Sequence, residues 1–348
     1  MVNLFRLSKS SVALVVGIWL LLAISVAQEV QERHLKNIKQ LTFGGENAEA
    51  YFSQDGKNLI FQSTRDNYLC DQIFTMSSKG KKLRLVSTGK GRCTCGFFSP
   101  EGKSIIFAST HLASDSCPPK PDYSLGYVWP LYKSYEIFSA KPDGSDLKRL
   151  TNTDGYDAEC VFSPDGKKIL FTSDRDRDLE LYEIDAEGKN VKRLTFSPGY
   201  DGGSFYSPDG KLICFRAQVI SDSAQLQDYQ NLLKQGLIRP SKLEIFIMKA
   251  DGSGRTQLTS NGAANFCPYF TPDGKKIIFS SNMQDPKGRN FELYLINIDG
   301  TGLEQITFND VFDGFPMFST DGKKLVFASN RNAKVRGETN IFIADWVE

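Results

Sequence analysis

The sequence predicts an all-β chain folded as a six-bladed β-propeller of four-stranded antiparallel blades, and three observations predict it. The first is a turn segment that occurs six times. It reads Phe52-Ser53-Gln54-Asp55-Gly56-Lys57, Phe98-Ser99-Pro100-Glu101-Gly102-Lys103, Phe162-Ser163-Pro164-Asp165-Gly166-Lys167, Tyr206-Ser207-Pro208-Asp209-Gly210-Lys211, Phe270-Thr271-Pro272-Asp273-Gly274-Lys275 and Phe318-Ser319-Thr320-Asp321-Gly322-Lys323. The second is a triplet of acid or amide, aliphatic and aromatic residue after each turn, from Gln72-Ile73-Phe74 to Asn340-Ile341-Phe342. The third is a second glycine turn, as at Asp143-Gly144 or Asp299-Gly300, leading to a Leu-Thr-like pair such as Leu150-Thr151 or Ile306-Thr307.

Each element follows from local chemistry. Arg6 and Lys9 precede an apolar run from Val12 to Ala23, and Ser25-Val26-Ala27 supplies small residues for cleavage. Residues 1–27 therefore read as a secretory signal, leaving a mature chain of 28–348 with no membrane span; the competing reading is an uncleaved anchor, against which the run is shorter than the roughly 20 apolar residues a bilayer span needs. In every repeat, apolar residues flank a turn in which Pro presets φ and Asp-Gly tolerates positive φ, which makes the first two strands a hairpin. The triplet is the third strand and the Leu-Thr segment ends the fourth. Repeat six lacks a fourth strand after Trp346, while Leu35 to Phe43 carries an unmatched Leu-Thr strand, so the N-terminal strand should complete the last blade and remove the free edges.

The Ser/Thr positions lie 46, 64, 44, 64 and 48 residues apart. The two long intervals place insertions at about 110–134 and 217–242, both in the connection between strands two and three and hence on one face. The first carries Tyr123, Tyr127, Trp129, Tyr132 and Tyr135 among prolines, as either a recognition surface or a satellite core. The second should hold a helix over Ala224 to Gln235 with Ser223 as its N-cap, as a lid or as packing on the blades. The opposite face, with its short turns, reads as structural.

Composition narrows the function. Lys plus Arg is 42 against 41 Asp plus Glu, a net charge of +1, so no global field holds a polyanion and nucleic acid is not an expected partner. The two histidines, His34 and His111, leave little for His-based metal or triad chemistry. Seven cysteines is an odd number, so at least one thiol stays outside any intramolecular bond. Cys93, Cys95 and Cys267 near the channel mouth, with Cys70 and Cys117 in the connections between strands two and three, could make a disulfide or a thiolate metal site, or stay as buried free thiols, and the pairing is left open.

The repeated Phe-Ser-Pro-Asp-Gly-Lys segments, with their Ile-Phe strands and Asp-Gly-Ser turns, resemble the TolB-like family of six-bladed propellers. The resemblance covers nearly all of the chain after the signal, without the separate N-terminal domain of TolB. It implies a periplasmic or secreted protein with partners at the channel mouth. The same repeats are similar to propellers that gate peptidases of the prolyl oligopeptidase type, but no G-x-S-x-G elbow follows and that activity is not carried over.

Aligning the six inner strands places Asn47, Cys93, Asp157, Asp201, Asn265 and Asp313 six residues before the Ser/Thr, with Glu49 and Glu159 two residues later in their blades. At the channel mouth such a ring would grip a basic group of a partner or hold a hard cation such as Ca2+, unless each Asp or Asn simply caps its own turn. The expected binding set is Asp157, Asp201, Asp313, Glu49, Glu159, Asn47 and Asn265, with Tyr127 and Trp129 as apolar anchors, and no catalytic residue. The expected function is a monomeric, non-enzymatic binding propeller for a protein or peptide of the cell envelope. The alternatives are a hydrolase or lyase acting on an envelope saccharide or ester through paired acids such as Glu159 and Asp201, and a Ca2+-binding propeller. The third-strand acids Glu136, Glu180, Glu244 and Glu292, with Arg65, Arg175 and Arg331, read as pairs that join blades, and Asp174 to Asp178 as a solvated charged loop.

Overall fold

The computed structural model describes residues 32–286 and 288–348, so the signal segment lies outside the described residues. Six four-stranded antiparallel sheets surround one axis. Their inner strands are Glu46–Phe52, Cys93–Phe98, Asp157–Phe162, Asp201–Tyr206, Asn265–Phe270 and Asp313–Phe318, which open blades 1 to 6. Blade 6 is completed by Leu35–Gln40 pairing antiparallel with Asn340–Trp346, as the unmatched strand predicted. No helix of the described residues is long and apolar enough to cross a membrane.

The repeated residues each satisfy a specific backbone need. In five blades the Ser/Thr hydroxyl donates to the Asp carboxylate two residues on, at 2.6–2.7 Å. The same carboxylate accepts the Lys N–H that follows the glycine. The glycine adopts a φ of 65–71° in all six turns, a conformation other residues enter at a cost. The Thr or Ser after the fourth strand accepts the N–H of the third strand, from Ser87 with Ile73 to Thr42 with Ile341, at 2.8–3.0 Å. That bond ties down a fourth strand of only two residues in blades 1 to 5.

Between the sheets, strands two and three contribute one aromatic pair per blade. The pairs are Phe61–Phe74, Phe107–Phe138, Phe171–Tyr182, Phe215–Phe246, Phe279–Tyr294 and Phe327–Phe342, with ring centroids 5.7–6.2 Å apart. Each buried aromatic stabilises the fold by about 1.5–3 kcal/mol through removal from water. The core is therefore a ring of equivalent interfaces rather than one centre.

Every inner strand breaks register against its neighbour at one place, between Ala48 and Tyr51 in blade 1 and at the equivalent step in the other five. The extra residue is left-handed each time: Glu49, Cys95, Glu159, Gly203, Cys267 and Phe315 have φ of 52–58°. A bulge of this kind re-aims its side chain. Here it delivers six side-chain positions to the channel axis at one level.

Candidate functional site

The bulge residues and Arg216 line a cavity of about 30 Å3 on the axis. A water needs roughly 10–15 Å3 of such space, so the cavity holds about two. Gly203 is the bulge residue of blade 4, and its missing side chain is the space that the Arg216 guanidinium occupies. Arg216 donates to Glu159 at 2.5 Å and to the Tyr200 hydroxyl at 2.6 and 3.0 Å. Glu159 also accepts from the Thr172 hydroxyl, the Tyr200 hydroxyl and the Gly203 N–H at 2.7–2.9 Å, so both its oxygens are saturated.

Glu49 differs. The Tyr51 hydroxyl donates to it at a long 3.4 Å, and the Cys95 thiol is its other hydrogen-bonding neighbour. Burial raises its pKa to about 7, with Cys95 opposing that rise and the nearby Glu159 carboxylate adding to it. Two carboxylates thus share the cavity, one neutralised by an arginine and one inclined to keep its proton. Beneath them Tyr51 and Phe205, from opposite blades, meet at 5.5 Å, with Phe97 and Tyr269 packed on Phe205 at 6.1 and 5.1 Å. These rings close the channel midway.

The expected ring of binding groups at the first inner-strand position is buried, which corrects its placement as an open mouth. Asn47, Asp157, Asn265 and Asp313 are fully buried and Asp201 is 1% exposed. Asp157 pairs with Arg175 at 2.9 Å, Asp201 with Arg255 at 2.5 Å and Asp313 with Arg331 at 2.7 Å. Each guanidinium lies over the aromatic residues of its own blade, such as Phe171 and Tyr182 for Arg175 and Phe246 for Arg255. In blade 4 the insertion leaves Val219 where Arg175 stands in blade 3, and Arg255 from the fourth strand supplies the charge instead. Where the ring residue is neutral the counter-charge is absent or unused. Asn47 bonds the Gly44 and Thr339 carbonyls, Asn265 bonds the Leu243 carbonyl, and Cys93 donates to Ser109.

Arg175 and Arg331 neutralise the ring acid of their own blades, whereas Glu244 of blade 4 does reach the next blade, accepting from the Asn265 amide at 3.1 Å. Glu136 and Glu180 pair with Arg149 and Arg193 of their own fourth strands. The charged loop 174–178 is likewise structural. Asp174 accepts the Tyr156 N–H and Asp178 accepts the Tyr229 hydroxyl.

The two insertions form one roof on one face. Trp129–Pro130 pairs with Leu237–Ile238 in a two-residue antiparallel ladder. Trp129 packs on Phe266 of blade 5 at 5.3 Å and covers Arg216 at 5.5 Å. The blade 2 insertion therefore crosses from its own blade to the far side of the axis. Helix α1, Ser223–Lys234, is capped by Asp222 rather than Ser223, and its buried Tyr229 and Leu232 hold it on the blades. Leu131, Tyr135, Tyr229 and Ile238 belong to a buried cluster, so part of the aromatic set is satellite core. Tyr123 and Tyr127 remain 59% and 55% exposed, with Arg289 over the Tyr127 ring. A disulfide between Cys70 and Cys117 ties the base of the roof to blade 1, and Cys93, Cys95, Cys160, Cys214 and Cys267 are free and buried.

A larger recess of about 210 Å3 opens on the opposite face, lined by the aromatic residue before each turn Ser/Thr and the prolines after it, among them Phe98, Pro100, Phe162 and Pro164. Sequence reasoning treated that face as scaffold. The signal was available in the turn segment itself, whose aromatic and proline positions repeat around the axis.

The family model for the TolB beta propeller domain matches residues 130–236 and 228–335. The chain belongs to the TolB beta-propeller family. Among solved structures, a protein provisionally named TolB from Agrobacterium tumefaciens is similar over 89% of this chain and 97% of its own, at 20% identity and a TM-score of 0.59. TolB from Acinetobacter baumannii is similar over 87% of this chain and 64% of its own, at 19% identity and 0.56. The oligogalacturonate lyase of Vibrio parahaemolyticus covers 88% and 93%, at 14% identity and 0.53. At these identities the likeness is one of fold. No curated protein matches the chain.

Proposed function

We propose that this TolB-family propeller is exported and acts as a non-enzymatic binding module, engaging a protein or peptide partner on the inserted face. The observation that carries the reading is the roof. Two insertions from different blades are joined by a ladder and a buried cluster, and a disulfide ties the first of them to blade 1, which makes a preorganised surface on which Tyr123 and Tyr127 stay more than half exposed, Tyr127 held in place by the Trp129 indole N–H. Exposed Tyr123 and Tyr127 beside Trp129 are the side-chain types that dominate protein recognition. The disulfide is in keeping with an oxidising compartment. Of the expected binding set, Tyr127 and Trp129 stay with the surface. Glu49 and Glu159 sit below it on the axis, where Glu159 would hold the blade 4 residue Arg216 under Trp129 rather than meet the partner directly.

The axial cavity gives no support to paired-acid chemistry on a saccharide at Glu159, because space for about two waters does not admit a sugar unit. The test is photo-crosslinking in cells from position 127 on the roof and from position 54 at the opposite recess. A discrete protein adduct from 127 alone is expected. An adduct from 54 alone would move the partner to the other face, and none from either would return attention to small ligands.

A further inference from the structure

The outer turn between strands three and four departs from its repeat in one blade. At one position blades 2 to 5 carry Asp143, Glu187, Asp251 and Asp299, and blade 1 carries Lys79. The next residues after the glycine are Lys81 and Lys82, followed by Leu83 and Arg84, and all five side chains are exposed. The turn itself is intact, since Ser77 accepts the Lys81 N–H at 3.1 Å as Asp185 accepts the Lys189 N–H in blade 3. The fold therefore does not require the acid, and it does not require a cation either.

Lys82 sharpens the point. It has φ of 60°, at the position that holds Asp146, Asn190, Gly254 and Gly302 in the other blades. Those residue types enter the left-handed region most readily, and a lysine there is backbone-disfavoured. Among the described residues no ion pair engages Lys79, Lys81 or Lys82, while Arg84 faces Asp143 of the next blade. Exposed Leu83 sits among the cations, with Ile38 and Leu147 exposed at the equivalent outer positions of the flanking blades.

We infer that the outer turn of blade 1 is a docking surface for anionic phospholipid headgroups, holding the propeller against a bilayer by its edge. Flexible point charges suit a diffuse negative surface better than the planar, bidentate recognition for which arginine is used. Exposed aliphatic side chains between them can enter the interfacial layer. The chain's near-zero net charge makes the attraction local to this turn, so it orients the molecule.

The experiment is vesicle co-sedimentation of the protein as the cell processes it, its N-terminus fixed by mass spectrometry. Vesicles of phosphatidylcholine alone are compared with vesicles containing phosphatidylglycerol. Binding to the anionic vesicles only, weakening as salt rises from about 50 to about 300 mM, is expected. The variant Lys79→Asp/Lys82→Gly restores the residues of blade 4, so it should fold at least as well, and it should lose at least about tenfold in partitioning. A control pair on blade 5, Lys275→Glu/Lys276→Glu, should bind as the parent does. Equal binding to neutral vesicles, retention by the blade 1 variant or an equal loss in the control would overturn the proposal. So would binding to soluble polyaspartate without binding to vesicles, which would assign the turn to an acidic protein.

Discussion

On the turn face, five of six blades repeat the same hydroxyl-to-carboxylate turn with the same distances. On the other side of the aromatic plug, the six bulge positions carry Glu, Cys, Glu, Gly, Cys and Phe. Both sets come from one repeated strand. Where a side chain serves its own backbone, every blade has the same need and the residue recurs. Where it serves the axis, only the sum of six contributions matters and the residues diverge. Divergence inside a repeat is therefore the better guide to function, and the same logic singles out Lys79 and Lys82.

The largest expected effect is at the divergent level. Arg216→Ala leaves Glu159 buried with one charge uncompensated, and should cost about 3–5 kcal/mol in urea unfolding. Trp129 should lose its cation partner in the same variant and report this as a shift in fluorescence. A loss below about 1 kcal/mol would mean that water, or the Glu49 proton shared with Glu159, satisfies the carboxylate in place of the guanidinium, and the roof would then not depend on the network. Next comes the tether: Cys70→Ser with Cys117→Ser should cost about 2–4 kcal/mol, given their sequence separation of 47. If the roof is a preformed surface, limited proteolysis between 117 and 130 should accelerate in this variant, and an unchanged cleavage pattern would separate roof order from the disulfide.

Asp313→Asn probes the layer between the two faces. The residue is fully buried and bonded to Arg331, which also pairs with Glu32. We expect a loss of about 2–3 kcal/mol and no direct effect on partner affinity once unfolding is allowed for. That outcome is the opposite of what an exposed anchor would give, and a stable variant with weakened binding would restore the carboxylate ring as a site. On the turn face, Ser207→Ala removes one of five equivalent hydroxyls and should cost about 1 kcal/mol, read from the same denaturation curves.

The architecture was legible because its determinants are local and repeated. The Asp-Gly turns, the Leu-Thr ends and the unmatched strand at Leu35 each state a backbone requirement, and the structure answers them in every blade. The site was less legible because its determinants are non-local. Nothing near Asp157 in sequence says that Arg175 will fold back over Phe171 and Tyr182 to neutralise it, and nothing near Asp201 points 54 residues ahead to Arg255. The bulge could have been suspected from Gly203 and Cys95 standing at aligned positions, but the left-handed backbone that turns those residues onto the axis is a property of strand pairing.

The smallest expected effect is a slope with pH, and it tests whether Glu49 is the unneutralised member of the axial pair. Its folded pKa of about 7 lies above the 4.5 of a free glutamate, so between those values the folded protein binds more protons than the unfolded chain. Stability must then fall as pH rises from about 5 to about 7 and level off beyond. Glu292, raised to about 7 mainly by burial, contributes in the same direction, so the parent slope alone does not identify the group. Glu49→Gln isolates it: the variant keeps the shape, removes the titration and should show a shallower slope with a higher melting temperature at pH 8 than the parent. An identical slope in the variant would mean that Glu49 is already ionised at pH 5. Arg216 would then be neutralising both carboxylates at once, and the axis would hold a three-charge cluster instead of one ion pair and one proton.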